Sequence, residues 1–179
     1  YLSNFTDLID LIVVDKNRWI KTCPFSNLVI GNLLDESNIT FKPRFNKNVK
    51  FVVNELKFID DDKKQILFVD ELSLDYDFLI MAPGIGYKKK QIQGYSIDDR
   101  ENIPHCWDGE NKISYFKKCL DSLENNCKVI ISCPDYPYRC PPAPYERASM
   151  IASFLKNKKN KFKILIFDSK NSFTKKIFF

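Results

Sequence analysis

Val129-Ile130-Ile131-Ser132-Cys133, with Tyr145 to Lys156 and then Lys163-Ile164-Leu165-Ile166-Phe167-Asp168 behind it, decides the fold. Two strand-length runs rich in Val and Ile flank a segment whose apolar residues recur at helical spacing. Strand, helix and strand in that order make a βαβ unit, and the chain is therefore of the α/β class. The topology matches a dinucleotide-binding fold, but the connection from Pro134 to Pro144 holds five prolines and no glycine. Without glycine the backbone cannot come close to a pyrophosphate, and each proline removes an N–H donor that would bind one. This unit is expected not to bind NAD or NADP. Pro142 and Pro144 bias the residues before them away from helix, so the helix is expected to begin no earlier than about Pro144. Cys140 then lies close to a helix N-terminus, where the dipole favours a thiolate. A rigid turn around a buried structural cysteine fits the same residues.

Working back along the chain, Asn111 to Asn125 reads as an amphipathic helix with Ile113, Phe116, Leu120 and Leu123 near one face. Between Val49 and Ala82 the period changes to two, predicting antiparallel strands over Lys50 to Asp60, Gln65 to Val69 and Tyr76 to Met81. Asp60-Asp61-Asp62-Lys63-Lys64 is a hairpin turn, since the ligand spacing of a calcium loop does not follow it. Ala82-Pro83-Gly84 ends the last of these strands, either as a plain turn or as a place where backbone approaches a ligand. Tyr1 to Leu8 looks like the end of an amphipathic helix, and Asp10 to Val14 a short strand closed by Asp15. An acid in that position takes ribose hydroxyls in a dinucleotide-binding unit, while the glycine-rich phosphate loop lies about twenty residues upstream. The sequence begins too late to contain that loop. Ser26 and Asn27, just after Cys23, are helix-capping residue types.

The composition bounds the rest. The 179 residues are 44% hydrophobic, enough for a substantial core, and carry a formal net charge of +5. The lysines are scattered rather than gathered on one face, which argues against nucleic acid, and Lys156 to Lys161 reads as the solvated end of a helix and its loop. The six cysteines form no CxxC pair and have no histidine spacing for zinc, so no metal site is expected. No apolar run reaches the length of a membrane span.

Three separated motifs share one order with a known family: Thr22-Cys23-Pro24-Phe25-Ser26-Asn27-Leu28-Val29-Ile30-Gly31, then Ala82-Pro83-Gly84-Ile85, then Tyr138-Arg139-Cys140-Pro141-Pro142 through Tyr145-Glu146-Arg147-Ala148. Together they resemble the flavoprotein subunit of flavocytochrome c sulfide dehydrogenase, within the FAD-dependent pyridine nucleotide-disulfide oxidoreductases. His105-Cys106-Trp107 and Asp168 to Lys175 extend the similarity. The resemblance implies a partial two-dinucleotide-binding-domain (Rossmann-like) flavoprotein with an antiparallel β-meander. Residues 1–108 would be a partial FAD-binding domain lacking its first strand and glycine-rich loop, 109–125 a connecting helix, and 126–179 a partial second domain without a nucleotide fingerprint. Such a piece of a longer flavoenzyme is expected to fold poorly alone.

The same resemblance assigns roles. Cys23 matches the cysteine that bonds covalently to the flavin, and Cys140 one half of a redox-active disulfide beside it. Asp15, with Lys16 next to it, matches the acid on the FAD ribose. Leu56 falls where backbone contacts the adenine, and Ala82, Pro83 and Gly84 match the strand end that passes near FAD. Members of the family oxidise sulfide in the periplasm and pass electrons through FAD to a cytochrome c subunit. A sulfide:quinone oxidoreductase, a type II NADH dehydrogenase and a non-catalytic remnant of the fold are the alternatives. Asn32 and Ala143 stand where the family has glycines, and no other cysteine here occupies the place of the partner of Cys140. Cys106, Cys119, Cys127 and Cys133 match no family role, and Cys119 and Cys127 are expected to pack on the connecting helix and its end.

Overall fold

The computed structural model describes residues 1–45, 48–84, 86–88, 92–96, 99, 102–107 and 112–172. The chain divides into two compact units, residues 1–20 with 41–85 and residues 21–40 with 86–179.

In the first unit the leading segment is a 3₁₀ turn over Leu2–Phe5, not the end of an α-helix. So short a piece cannot repay the cost of helix nucleation and closes instead with an Asn4 N–H to Tyr1 carbonyl bond of 3.0 Å. Strand β1 (Ile12–Asp15) pairs in parallel with β4 (Lys50–Val53), Ile12 opposite Lys50 and Asp15 opposite Val53. The expectation of one antiparallel strand from Lys50 to Asp60 is corrected here. Its first half joins β1, the Asn54 N–H donates to the Asp15 carbonyl at 3.0 Å, and the chain resumes as β5 (Leu56–Asp60).

Strand β5 runs antiparallel to β6 (Gln65–Phe68), and β6 to β7 (Ser73–Asp75). The hairpin at Asp60–Lys64 is as expected, with Asp60 Oδ1 accepting the Lys63 N–H at 3.0 Å. Tyr76 to Met81 is not a strand. The turn after β6, with Glu71 at φ +65° and the Phe68 N–H on the Leu72 carbonyl at 2.9 Å, sets Asp75 opposite Gln65. Gln65 is the first residue of β6, so past Asp75 only the Tyr76 N–H is paired back across the hairpin, to the Lys64 carbonyl at 2.9 Å, and the strand goes no further. Ile66 and Phe68 are the buried side chains of this meander.

Two-residue strands β2 (Ile20–Lys21) and β3 (Thr40–Phe41) pair where the chain leaves and re-enters the first unit. The second unit is built on α1 (Ser26–Ile30), α2 (Lys112–Asp121), β8 (Cys127–Ser132), α3 (Ala143–Asn157) and β9 (Phe162–Phe167). β8 and β9 are parallel over their full length, Cys127 opposite Phe162 and Ser132 opposite Phe167, with α3 as the crossover. α3 starts at Ala143, one residue ahead of expectation, because a proline in the first turn forfeits only an N–H that has no intrahelical partner. α2 stops at Asp121, short of Asn125. The chain turns there with Asn126 at φ +64°, and Asn125 Oδ1 accepts the Lys161 N–H at 2.7 Å instead of continuing the helix.

The core of this unit joins Val29 and Ile30 of α1, Ile113 and Leu120 of α2, and Ile151, Phe154 and Leu155 of α3, with Cys106 and Ile39. α1 lies along α3 in the same direction: Asn27 bonds Glu146 and Arg147, while a Cβ on Gly31 would stand 2.9 Å from Met150 Sδ. Residues just before α1 and just before α3 therefore come to one end of the pair. Cys23 and Cys140 are those residues. Among the described residues no helix is long and apolar enough to cross a membrane.

Candidate functional site

The expected site residues fall into two groups, one in each unit. In the first unit Asp15 is the last residue of β1, at the carboxyl end of a parallel pair, where α/β sheets bind ligands. Its Oδ1 accepts the Asn17 N–H at 2.8 Å, which fixes the turn behind the strand. Lys16 lies 3.6 Å from Glu55 on the surface, and Leu56 opens β5 opposite Phe68. Ala82, Pro83 and Gly84 are exposed. Gly84 has φ +77°, the left-handed region that favours glycine, and nothing of the chain lies within 4 Å of where its Cβ would stand. The turn, rather than crowding by protein, requires that glycine.

In the second unit the chain brings Cys23 and Cys140 to the shared end of α1 and α3. Cys140 is exposed, so it is not the buried structural thiol that its prolines also allowed. Its φ is +56°, an uncommon conformation for a side chain with a Cβ. Its carbonyl accepts the Ala143 N–H at 2.9 Å, closing the turn into α3. Cys23 is half-buried, and its Sγ donates to the Trp107 carbonyl at 3.5 Å. Burial pushes the Cys23 thiol up, and the positive charges of Arg147 and then Arg139 pull it back.

Arg147 organises this end. It is 3% exposed, and its guanidinium lies on the Trp107 ring at 3.4 Å from the centroid. Nε donates to Asn27 Oδ1 at 3.0 Å, and Nη1 donates to the His105 carbonyl. Asn27 Nδ2 in turn donates to Glu146 Oε2 at 2.5 Å. Burial lowers Arg147 to about 10, against the support of Cys106, Cys23 and Glu146. It stays a cation at neutral pH. Neither Ser26 nor Asn27 caps α1, whose N-cap is Phe25 without a side-chain bond; Asn27 is committed to Arg147 and Glu146.

Arg147, Glu146 and Trp107 are not among the site residues expected from the sequence, although one signal is present. Arg147 stands four residues before Ile151 and eight before Leu155, on the stripe of α3 that faces the core. A cation there demands a set of partners.

A second cluster closes the loop that carries Cys140. Asp168, just past β9, accepts the Tyr138 hydroxyl at 2.8 Å, the Tyr145 hydroxyl at 2.6 Å and Lys170 Nζ at 2.6 Å, all on Oδ2. Burial alone would raise its carboxyl, but the bonds from Lys170, Tyr145 and Tyr138 outweigh that and hold it well below the usual carboxylate range. Burial and then the Asp168 bond push both tyrosines above their ordinary value. Cys133 is half-buried beside Tyr138, its thiol pushed up by burial. No group of three or more His, Cys, Asp or Glu side chains suited to a metal occurs among the described residues.

The fold is that of the FAD-binding pyridine nucleotide-disulfide oxidoreductases. The chain is similar to the sulfide:quinone oxidoreductase of the hyperthermophilic bacterium Aquifex aeolicus, with TM-score 0.69 and 18% identity over 94% of this chain and 39% of that one. It is also similar to NDH2 from Plasmodium falciparum, with TM-score 0.63 and 19% identity over 94% of this chain and 38% of the other. NADH:rubredoxin oxidoreductase from Clostridium acetobutylicum aligns with TM-score 0.53 and 14% identity, over 94% and 50%. The chain spans between about two-fifths and one half of the length of these solved chains. Residues 114–179, from α2 onward, match the family described as the central region of the sulfide dehydrogenase [flavocytochrome c] flavoprotein chain. The resemblance read from the motifs holds there, and that part includes Cys140, Arg147 and Asp168.

Proposed function

We propose that the protein works as the flavoprotein of a sulfide dehydrogenase in the periplasm, oxidising sulfide and passing the electrons through FAD to a cytochrome c subunit. The observation that carries this reading is the match of residues 114–179 to that family, with Cys140 exposed inside it. Cys23, at the same end of the α1 and α3 pair, supports it.

The residues fit an adenine dinucleotide. Asp15 ends a parallel strand with one carboxylate oxygen held by Asn17, which leaves the carboxylate oriented for a ribose diol, with Lys16 beside it. The Leu56 backbone and the exposed Ala82-Pro83-Gly84 turn are the remaining contacts in the first unit. Bound FAD supplies the conversion of a two-electron input into single-electron output. Cys23 is the thiol for a covalent link to it. Cys140 provides one sulfur of a redox-active disulfide. Hydrosulfide attacks that disulfide, one S–S bond forming as the other breaks and the displaced sulfur leaving as a thiolate, while the positive charges of Arg147 and Arg139 act on Cys23 at this end.

Quinone or NADH chemistry is the competing reading, because both kinds of enzyme share the fold. Against NADH stands the second unit itself, with its glycine-free loop and an Asp168 whose Oδ2 is already taken by three donors. Covalency is the test. Acid precipitation of the flavin-loaded protein should leave flavin in the pellet, and Cys23→Ala should release it to the supernatant. Flavin released equally from both would remove Cys23 from the reading, and NADH-driven flavin reduction with no response to sulfide would replace the reading altogether.

A further inference from the structure

In a nucleotide-binding βαβ unit the acid at the end of the second strand reads a ribose; here Asp168 holds that position and turns both carboxylate oxygens to its own chain. Its Oδ2 ties together Tyr138 of the proline loop, Tyr145 in the first turn of α3 and Lys170 beyond β9. Lys170 Nζ also donates to the Tyr138 hydroxyl and lies 4.3 Å from that ring's centroid. Asp168 Oδ1 accepts the Lys170 N–H at 3.1 Å, which closes the turn after β9. The loop is fastened a second time where the Tyr136 N–H donates to Ser169 Oγ at 3.2 Å. Asp168 and Lys170 are well shielded from water, 8% and 12% exposed at the side chain, while the Tyr136–Ser169 bond lies at the surface.

Cys140 follows Tyr138 by two residues and sits at φ +56°. A residue with a Cβ held there is strained, and such a conformation persists only where its surroundings impose it. Cys140 itself is exposed, and beyond the bond from the Ala143 N–H to its carbonyl the restraint comes from the anchored residues on either side. Tyr138 on one side and Tyr145 on the other both end on the same carboxylate oxygen.

We infer that Asp168 is a positioning residue for Cys140: the acid that would read a nucleotide ribose instead clamps the proline loop through Tyr138, Tyr145 and Lys170 and fixes where the thiol stands. Its consequence for catalysis rests on the role proposed above for Cys140; the clamp itself does not.

The test is therefore made without flavin or substrate, by amide hydrogen exchange on the protein and on Asp168→Asn, Tyr138→Phe and the double variant. Loss of one hydrogen bond to a charged group corresponds to about a tenfold change in an opening equilibrium, and more in the least favourable contexts. The Tyr136 and Ala143 amides, which report the two ends of the loop, should lose protection by about tenfold in Tyr138→Phe and by more in Asp168→Asn. The amides of Ile151 to Leu155 in the core of α3 should change by less than about twofold. In the double variant the hydroxyl loss should add almost nothing to the carboxylate loss, as expected for two members of one interaction. Restoring the acid with Asp168→Glu should recover part of the loop protection. Unchanged exchange at Tyr136 and Ala143 would overturn the inference. So would a uniform rise across the loop and α3, since it would reduce Asp168 to a general contributor to stability. If the clamp holds but sulfide fails to reduce the flavin, only the function proposed for Cys140 falls.

Discussion

Replacing Arg147 with Leu should destabilise the second unit by about 3 kcal/mol. The side chain makes two hydrogen bonds as a charged donor, to Asn27 Oδ1 and the His105 carbonyl, each worth about 1.5 to 3 kcal/mol. It also stacks on Trp107 at 3.4 Å, worth up to about 2 kcal/mol where water is excluded. Against these stands burial, with Nη2 left without a hydrogen-bond partner: the net lowering of the guanidinium from 12.5 to about 10 corresponds to about 3 kcal/mol, which leucine removes. The difference leaves a net loss of about 3 kcal/mol, or about 1.5 M in urea midpoint at a slope of about 2 kcal/mol per M. Trp107 is itself the reporter, and a Trp19→Phe background leaves it as the single tryptophan. Arg147→Lys keeps the charge but not the planar fork, and should fall between the two. A leucine variant within about 1 kcal/mol of the parent would refute the claim that Arg147 organises the thiol end of α1 and α3.

Two other perturbations test the same structure. The Asp168 carboxyl is held below its unfolded value of about 3.9, so its contribution to stability is fully present above that value and is lost as pH falls through the depressed folded value. Acid unfolding followed by circular dichroism should therefore be less steeply pH-dependent below about pH 4 in Asp168→Asn than in the parent, and identical acid limbs would contradict it. In the core, Ile151→Ala should cost about 2 to 5 kcal/mol through its cavity, Ile151 being 1% exposed, whereas Gly31→Ala should cost less than about 1 kcal/mol, because the atom it meets is the flexible Met150 Sδ. Urea midpoints that reverse this order would show that the α1 and α3 contact is not packed as described.

The βαβ unit was legible because Val129 to Cys133 and Lys163 to Phe167 carry strand-type residues on both sides of a helical period, and both strands formed within two residues of where they were expected. The meander was harder, for a physical reason. Lys50 to Asp60 reads as one run, but hydrogen bonding to β1 and to β6 divides it at Asn54, and only the fold decides which partner each half finds. Phe78, Leu79, Ile80 and Met81 look like a strand by composition, yet the tight turn at Glu71 uses up the partner strand before they are reached. Of the expected site residues, Asp15 and Cys140 are picked out by residue type and position, and Cys23 by the family resemblance. Arg147, Asn27 and the Tyr138–Asp168–Tyr145 cluster could not be assembled, since their partners lie between 23 and 120 residues apart in sequence.

Anaerobic titration of the flavin-loaded protein with sulfide, followed by flavin absorbance, tests the central claim most directly. The account predicts that the parent bleaches with about one sulfide per flavin, the amount set by a two-electron transfer, and that Cys140→Ser loses the response while retaining bound flavin. Bleaching of the serine variant at the parental rate, or bleaching of the parent by NADH and not by sulfide, would contradict it.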